Sequence, residues 1–408
     1  MSPQDAKEHL IELARLTDTA GAEVVGSLRQ RLDSPHPRTY IGEGKVAELG
    51  QFAERTGATL VIFDEELAPA QGKNLEDAVK VRVMDRAELI LDIFATRARS
   101  SEAQMQVELA QLQYMLPRLK RMWTHLSRIR GGIGLRGPGE TQLETDRRLI
   151  NRRIRDLRGK LEVVMRRRET QRKARASEFR ASLVGYTNAG KSSVLRALSG
   201  ADLFVEDLLF ATLDASTRAV EVTPGQRILV TDTVGFIRKL PHHLVASFRA
   251  TLEEAASADL LLHVIDASHP GWEEQKQVVE EVIAELGLDD RRVALVFNKT
   301  DRLTHDEERS LRERVAALWD EPAVFVSTVE NRGLAELIEL LRGELQARRP
   351  EVHVAIPSAD GEALASVYRD GEVLERVENG GTVDLVARLP AAALGRLRRR
   401  AGIVISAT

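Results

Sequence analysis

An α/β multidomain chain is predicted, on three observations. First, Gly185-Tyr-Thr-Asn-Ala-Gly-Lys-Ser192 fits G-x-x-x-x-G-K-[ST] and stands between a strand-like run, Ala181–Val184, and a helix-compatible run, Val194–Leu198. Second, β-branched runs alternate with helical patterns through the first third, as in a parallel α/β unit. Third, 408 residues exceed one ordinary domain, about three being expected. The predicted division is a small parallel α/β subdomain at 1–98 and a basic antiparallel helical hairpin at 99–178. A P-loop domain follows at 179–348, and a small α+β domain at 349–408.

Composition narrows the function classes. A hydrophobic content of 43% supports packed cores. The absence of cysteine excludes disulfides and thiolate chemistry, and His242-His243 lacks a third ligand at metal spacing. No apolar run of about 18 residues appears and Met1-Ser-Pro-Gln-Asp-Ala6 has no signal-peptide pattern, so a cytoplasmic protein without a membrane partner is expected. The net charge of −3 hides an asymmetry. Residues 118–180 carry 20 Lys/Arg against 7 Asp/Glu, a net of +13, which leaves −16 elsewhere. Such segregation points to a polyanion-binding element.

In the N-terminal third, Ala22–Leu28, Ala58–Phe63 and Val79–Met84 read as strands, and Gly44–Arg55, Ala68–Ala78 and Arg86–Thr96 as helices. Gly42-Glu-Gly-Lys45 is a fragment of a phosphate loop, better read as an ordinary helix entry. Asp64-Glu65-Glu66 reads as a solvated loop rather than a catalytic carboxylate pair.

A heptad seam then begins: Met105, Leu109, Leu112, Leu116, Leu119, Trp123 and Leu126. It resumes at Leu143, Ile150, Ile154, Leu157, Leu161 and Val164, with Gly131–Gly139 between as a flexible tip. Pro117 should kink the first helix near Gln113–Leu116. Arg128, Arg130, Arg136, Arg147, Arg148, Arg152, Arg153, Arg166, Arg167 and Arg168 make the hairpin strongly one-signed. A solvated coiled-coil spacer usually mixes signs, so RNA phosphates are the favoured target over a spacer role. Only Tyr114 and Trp123 are aromatic here, which favours shape and phosphate contacts over base stacking.

The P-loop is the centre of the chemistry. Gly185 and Gly190 permit the tight turn, and the backbone of Tyr186, Thr187, Asn188 and Ala189 with the helix start at Lys191-Ser192-Ser193 wraps the phosphates. Lys191 is expected on the β- and γ-phosphates, and the Ser192 hydroxyl on Mg²⁺. Phe210-Ala-Thr-Leu-Asp214 brings Phe210 to the nucleotide and Thr212 to Mg²⁺ and the γ-phosphate. Asp232-Thr-Val-Gly235 is a D-x-x-G element in which Asp232 holds the Mg²⁺ sphere and the Gly235 N–H meets the γ-phosphate. Lys191, Thr212 and Gly235 are therefore the catalytic candidates. Asn298-Lys-Thr-Asp301 is an N-K-x-D element. The Asp301 carboxylate accepts two hydrogen bonds from guanine N1–H and N2–H₂, a pair that adenine does not offer. Asn298 orients the loop, Lys299 lies along the base, and Ser327-Thr328-Val329 meets the guanine oxygen. GTP and GDP are the expected ligands. Phe236 stands where Ras-like enzymes carry the Gln that orients water, so intrinsic hydrolysis is expected to be slow.

These residues, with Tyr40–Lys45, Phe63–Leu67, Asp85–Phe94, Gln106–Gln111 and the run Gly131–Arg148, resemble the HflX family of Obg-related GTPases over almost the whole chain. The resemblance implies a ribosome-associated GTPase, probed by the hairpin tip at ribosomal RNA near the peptidyl-transferase region. It implies binding to the large (50S) subunit and GTP-dependent separation of stalled or idle 70S ribosomes, by a chain expected to be monomeric. It also implies a secondary ATPase activity, which N-K-x-D chemistry alone does not. In related GTPases without the Gln, a loop Asn at the position of Asn188 coordinates a monovalent cation, which makes K⁺ a candidate cofactor. Ser327-Thr-Val departs from the family's usual Ser-Ala there. Two other readings stand beside this one: a large-subunit assembly GTPase, and an RNA-binding scaffold with a GTPase timer.

Beyond Pro350, strands are expected at Val352–Ile356, Glu372–Glu378 and Thr382–Leu389, and helices at Gly361–Tyr368 and Ala391–Arg399. No catalytic constellation appears there, so a docking or packing module is expected. Arg396, Arg398, Arg399 and Arg400 either touch RNA or cap the last helix.

Overall fold

In the computed structural model, residues 3–119, 138–174, 178–200, 208–239 and 255–407 are described. They fall into two units: Met1–Arg168 with Glu206–Asp214 and Lys239–Ala250, and Glu169–Val205 with Ala215–Arg238 and Thr251–Thr408. Trp123, Leu126, Arg128, Arg130, Arg136, residues 131–137 of the glycine tip and His242-His243 lie outside the described residues.

The first unit opens with α1 (Pro3–Thr19), α2 (Glu43–Thr56), β1 (Leu60–Phe63), α3 (Pro69–Val79), β2 (Arg82–Asp85) and α4 (Arg86–Arg97). β1 and β2 pair in parallel, from Leu60 opposite Arg82 to Phe63 opposite Asp85, with α3 as the crossover. α2 ends where Gly57 turns left-handed (φ 67°), and Pro69 opens α3, where its missing N–H costs nothing. Val46, Leu67, Leu75, Val79 and Val83 form the core between these elements.

Three expectations change here. α1 has no counterpart among the expected elements, although Leu13 and Leu16 are buried on it. α3 runs through Val79, so the strand expected from Val79 is confined to Arg82–Asp85. The strand expected at Ala22–Leu28 does not form. Val24 and Val25 stay 46% and 51% exposed, so burial provides little drive to pair. Gly26 lies against Phe52, where a methyl group would stand 2.5 Å from the ring.

Asp85 organises the end of this sheet. Its carboxylate caps α4 by accepting the Glu88 N–H at 3.0 Å, and accepts the Leu67 N–H at 3.0 Å and the Tyr114 hydroxyl at 2.9 Å. Arg118, buried over the Tyr114 ring, donates to Asp85 at 3.3 Å and to the Leu67 carbonyl at 2.8 Å. This arginine belongs to the internal network rather than to a nucleic-acid surface. Asp64-Glu65-Glu66 is likewise more than a solvated loop: Asp64 pairs with Arg86 and Lys239 at 2.7 Å each, and Glu65 with Lys239 at 2.6 Å.

α5 (Ser101–Met115) is interrupted at the expected proline: Leu116–Arg118, with Pro117 in it, forms a 3₁₀ turn, and Leu119 returns to helical backbone. α6 (Pro138–Ala174) is 37 residues long. Leu109, Ile154, Leu157 and Leu161 are buried together with Met105, Leu112, Leu116 and Ile150 packed around them, which is the expected seam. Arg153 makes a two-pronged bond to Glu108 at 2.6 and 2.7 Å, while Arg147, Arg148 and Arg152 are exposed. The first unit also includes Phe210, which is buried and meets Phe94 edge-to-face at 4.7 Å. Asp214 accepts the Ser100 N–H at 3.1 Å, next to the start of α5.

The second unit carries a six-stranded sheet of order β4-β5-β3-β6-β7-β8: β3 (Arg180–Gly185), β4 (Ser216–Thr223), β5 (Gln226–Asp232), β6 (Leu260–Asp266), β7 (Val293–Asn298) and β8 (Ala323–Phe325). Only β4 runs antiparallel to its neighbour, β5. Helices α7 (Lys191–Ser199), α8 (Trp272–Glu285), α9 (His305–Leu318) and α10 (Leu334–Ala347) accompany the sheet. The parallel strands are apolar on both faces, as doubly covered strands must be: β6 is buried from Leu260 to Ile265.

The C-terminal part holds β9 (Glu351–Pro357), α11 (Gly361–Asp370), β10 (Glu372–Asn379), β11 (Thr382–Arg388), α12 (Ala391–Leu397) and β12 (Val404–Ala407) in an antiparallel sheet of order β10-β11-β9-β12. β12 is an addition to the expected elements. Arg396 binds Asp370 at 2.6 Å and Arg400 binds Asp360 at 3.0 Å, so both serve the module internally. Among the described residues no helix is long and apolar enough to cross a membrane.

Candidate nucleotide site

At an open α/β sheet, ligands collect outside the carboxyl ends of parallel strands. β3, β5 and β7 deliver Gly185, Asp232 and Asn298 to that edge. The P-loop leaves β3 and re-enters helix at Lys191, capped by Gly190 in the left-handed conformation (φ 94°). Only glycine fits at 190: a Cβ would stand 2.1 Å from the Asn298 amide nitrogen. That nitrogen donates to the Ala189 carbonyl at 3.0 Å, so Asn298 orients the phosphate loop as well as its own. Asn188 also adopts positive φ (60°), which asparagine tolerates better than most residues.

Lys191 is buried, and its ammonium donates to the carbonyls of Gly185 at 3.1 Å and Tyr186 at 2.9 Å. Burial lowers its pKa to about 8, with Asp232 opposing and Lys299 reinforcing the shift. A phosphate chain beside it would stabilise the charged form. The Ser192 hydroxyl donates to Asp232 at 2.6 Å, and the Asp232 carboxylate is buried. A hydroxyl and a carboxylate side by side are hard oxygen donors of the kind Mg²⁺ takes alongside phosphate oxygens, so these residues fit the ion. Ser193 follows, half-buried, in the first turn of α7.

The D-x-x-G segment lies directly on the P-loop. Thr187 N–H donates to the Phe236 carbonyl at 2.7 Å, and Phe236 N–H to the Gly185 carbonyl at 3.1 Å. The Phe236 side chain is buried, with 2% exposed. Phe210 and Thr212 belong to the first unit, where Phe210 packs on Phe94.

The N-K-x-D and Ser327-Thr-Val segments converge. Asp301 accepts a 2.6 Å bond from Ser327 Oγ, and Lys299, left-handed at φ 64°, reaches Asp266 at 2.7 Å. Ser327 Oγ also accepts the Glu330 N–H at 3.1 Å, while Ser327 pairs with Arg332 through two backbone bonds. Thr328 is half-buried, whereas Val329 is 80% exposed. Sequence reasoning assigned Ser327 by its backbone and missed the hydroxyl that orients Asp301. It also missed Asp266, the anchor of Lys299, whose only signal is its place at the end of an apolar strand.

Comparison with known proteins decides the family. A curated relative, GTPase HflX of Magnetococcus marinus, is 46% identical over 399 residues, covering 97% of this chain and 91% of that one. The chain belongs to the HflX family. GTPase HflX of Escherichia coli K12 is 43% identical, with 94% of this chain and 90% of that one covered. Three family profiles match: GTP-binding GTPase N-terminal at residues 7–95, GTP-binding GTPase Middle Region at 97–175, and 50S ribosome-binding GTPase at 180–299. A solved GTP-binding protein from Sulfolobus solfataricus in complex with GDP is 25% identical, covers 83% of this chain and 96% of its own, and has a TM-score of 0.44. The P-loop and D-x-x-G segments of this HflX chain lie within the stretch matched by the 50S ribosome-binding GTPase profile, and the N-K-x-D segment begins at its end.

Proposed function

We propose that this chain hydrolyses GTP in the cytoplasm, binds the 50S subunit through ribosomal RNA, and splits stalled or idle 70S ribosomes. The observation that carries the nucleotide assignment is Asp301 held by Ser327 Oγ at 2.6 Å, a pre-aimed carboxylate for guanine. The ribosomal part rests on the excess of basic residues in α6, 12 Lys/Arg against 6 Asp/Glu, and on the profile match at 180–299 to a 50S ribosome-binding GTPase. The functional division follows residues 1–98, 99–178, 179–348 and 349–408.

In this reading Lys191, Gly235 and the backbone of residues 185–193 hold the phosphates, and Ser192, Asp232 and Thr212 hold Mg²⁺. When bound, the ion neutralises phosphate charge. Phe236 cannot orient water, so turnover depends on a group or rearrangement supplied by the ribosome. Asn188 takes K⁺; equal turnover in K⁺ and Na⁺ removes that part. ATP is a secondary substrate, read by comparing ATP and GTP turnover.

The test is GTPase activity with and without purified 50S and 70S particles, paired with sucrose-gradient profiles. Stimulated hydrolysis and GTP-dependent loss of 70S are expected. Absence of stimulation overturns the ribosomal assignment in favour of a scaffold with a timer. Stimulation without loss of 70S, with large-subunit precursors in depleted cells, overturns splitting in favour of assembly.

A further inference from the structure

The second P-loop residue does more than pass the backbone around the phosphates. Tyr186 is buried at 4% exposure, and its hydroxyl oxygen accepts the Arg238 N–H at 3.0 Å. Its backbone bridges Phe236 in parallel, flanked by the Thr187 N–H to Phe236 carbonyl bond at 2.7 Å and the Phe236 N–H to Gly185 carbonyl bond at 3.1 Å. Three hydrogen bonds therefore fasten residues 236–238 to residues 185–187. The contact is tight. At Gly235 a methyl group would stand 2.7 Å from Thr187 Cα and 3.1 Å from Lys191 Nζ. The Lys191 ammonium is turned to the Gly185 and Tyr186 carbonyls at 3.1 and 2.9 Å.

We propose that Tyr186 is a positioning residue whose hydroxyl clips the D-x-x-G segment onto the P-loop, and that the γ-phosphate of GTP must open this clip while GDP need not. The proposal rests on the guanine-nucleotide reading above. A γ-phosphoryl oxygen has to accept from Gly235 N–H beside Lys191, and the clip packs Gly235 on Thr187 with no gap between them. Nucleotide discrimination at this site is then a competition between loop–loop hydrogen bonds and phosphate hydrogen bonds. The β-phosphate, cradled by the loop's own N–H groups, does not enter that competition.

Tyr186→Phe removes the hydroxyl and keeps the ring, so the packing around it survives. The experiment measures affinities of the full chain with Mg²⁺ for fluorescent GDP and for a fluorescent β,γ-imido GTP analogue. The ratio of analogue to GDP affinity is expected to rise about fivefold in the variant, the worth of one net hydrogen bond. A merely structural role would lower both affinities together, and an unchanged or lower ratio overturns the clip. Hydrogen exchange of the peptide containing the Arg238 N–H gives a second readout on the unaltered chain. Exchange should quicken with the GTP analogue and not with GDP; equal protection in both overturns the proposal. If the unaltered chain binds neither nucleotide, the guanine reading itself fails, whereas binding of both with an unmoved ratio condemns the clip alone.

Discussion

Ser327 Oγ and Asp301 Oδ1 are 2.6 Å apart, and the hydroxyl donates to the carboxylate across 26 residues of sequence. The bond fixes the direction in which Asp301 presents its remaining acceptors. Ser327→Ala should lower GDP affinity about fivefold to tenfold through lost pre-orientation, with ADP affinity unmoved. Parallel titrations with GDP and ADP check this; an equal loss for both would show that the hydroxyl serves the loop and not the base.

Lys191 predicts a pH dependence of binding. Burial holds its pKa near about 8, below the ordinary lysine value, and bound phosphates would raise it again. Above that pH the complex then carries a proton that the uncomplexed chain has lost, so binding takes up a proton. Affinity for GDP should fall as pH rises through 8 and toward 10, by up to tenfold per unit. Fluorescence titrations from pH 7 to 9.5 check the sign. A flat profile would mean that the ammonium keeps its charge throughout.

His263 predicts a stability slope on the acid side. It is buried in β6, and burial, with Lys276 and Lys191 adding repulsion, lowers its pKa to about 3. The unfolded chain binds this proton near pH 6.5 and the folded one does not. Stability should therefore drop as pH falls from 6.5 toward 3, by about 1.4 kcal/mol per unit from this residue. His263→Gln should flatten that part of the slope in urea unfolding followed by tryptophan fluorescence.

Asp85 predicts where the first unit is fragile. It accepts from Leu67 N–H, Glu88 N–H and the Tyr114 hydroxyl, and faces Arg118 at 3.3 Å. Asp85→Ala takes the acceptor from the Leu67 and Glu88 N–H groups and the counter-charge from buried Arg118, a loss of about 3–5 kcal/mol. Asp85→Asn, which keeps the shape, should lose less. Thermal unfolding and limited proteolysis of the two variants measure both losses.

The strand–loop–helix around Gly185–Ser192 was readable because such a segment announces itself in consecutive residues. What stayed hidden depends on residues brought together from afar. Lys239 meets Asp64 across 175 positions, and nothing local to Asp64-Glu65-Glu66 distinguishes an ion-pair hub from a solvated turn. Arg118 counted toward the basic stretch, yet its surroundings make it internal. The two strand errors have opposite causes. Val24-Val25 has the right residue type and no burial to reward pairing, whereas Val404–Ala407 is short and finds an open edge on β9. The bond to the Tyr186 hydroxyl was not legible because its partner is the Arg238 backbone N–H, which no sequence pattern records.

The length of α6 has a mechanical consequence. Its 37 residues, at about 1.5 Å each, make an unbroken rod of about 55 Å. A rod transmits angle as displacement: a tilt of about 5° at one end moves the other by about 5 Å. Residues 175–179 are all that separate its last turn, at Ala174, from Arg180 at the start of the strand that ends in the P-loop. A tilt too small to notice at one end of this helix is thus a displacement of side-chain size at its other end.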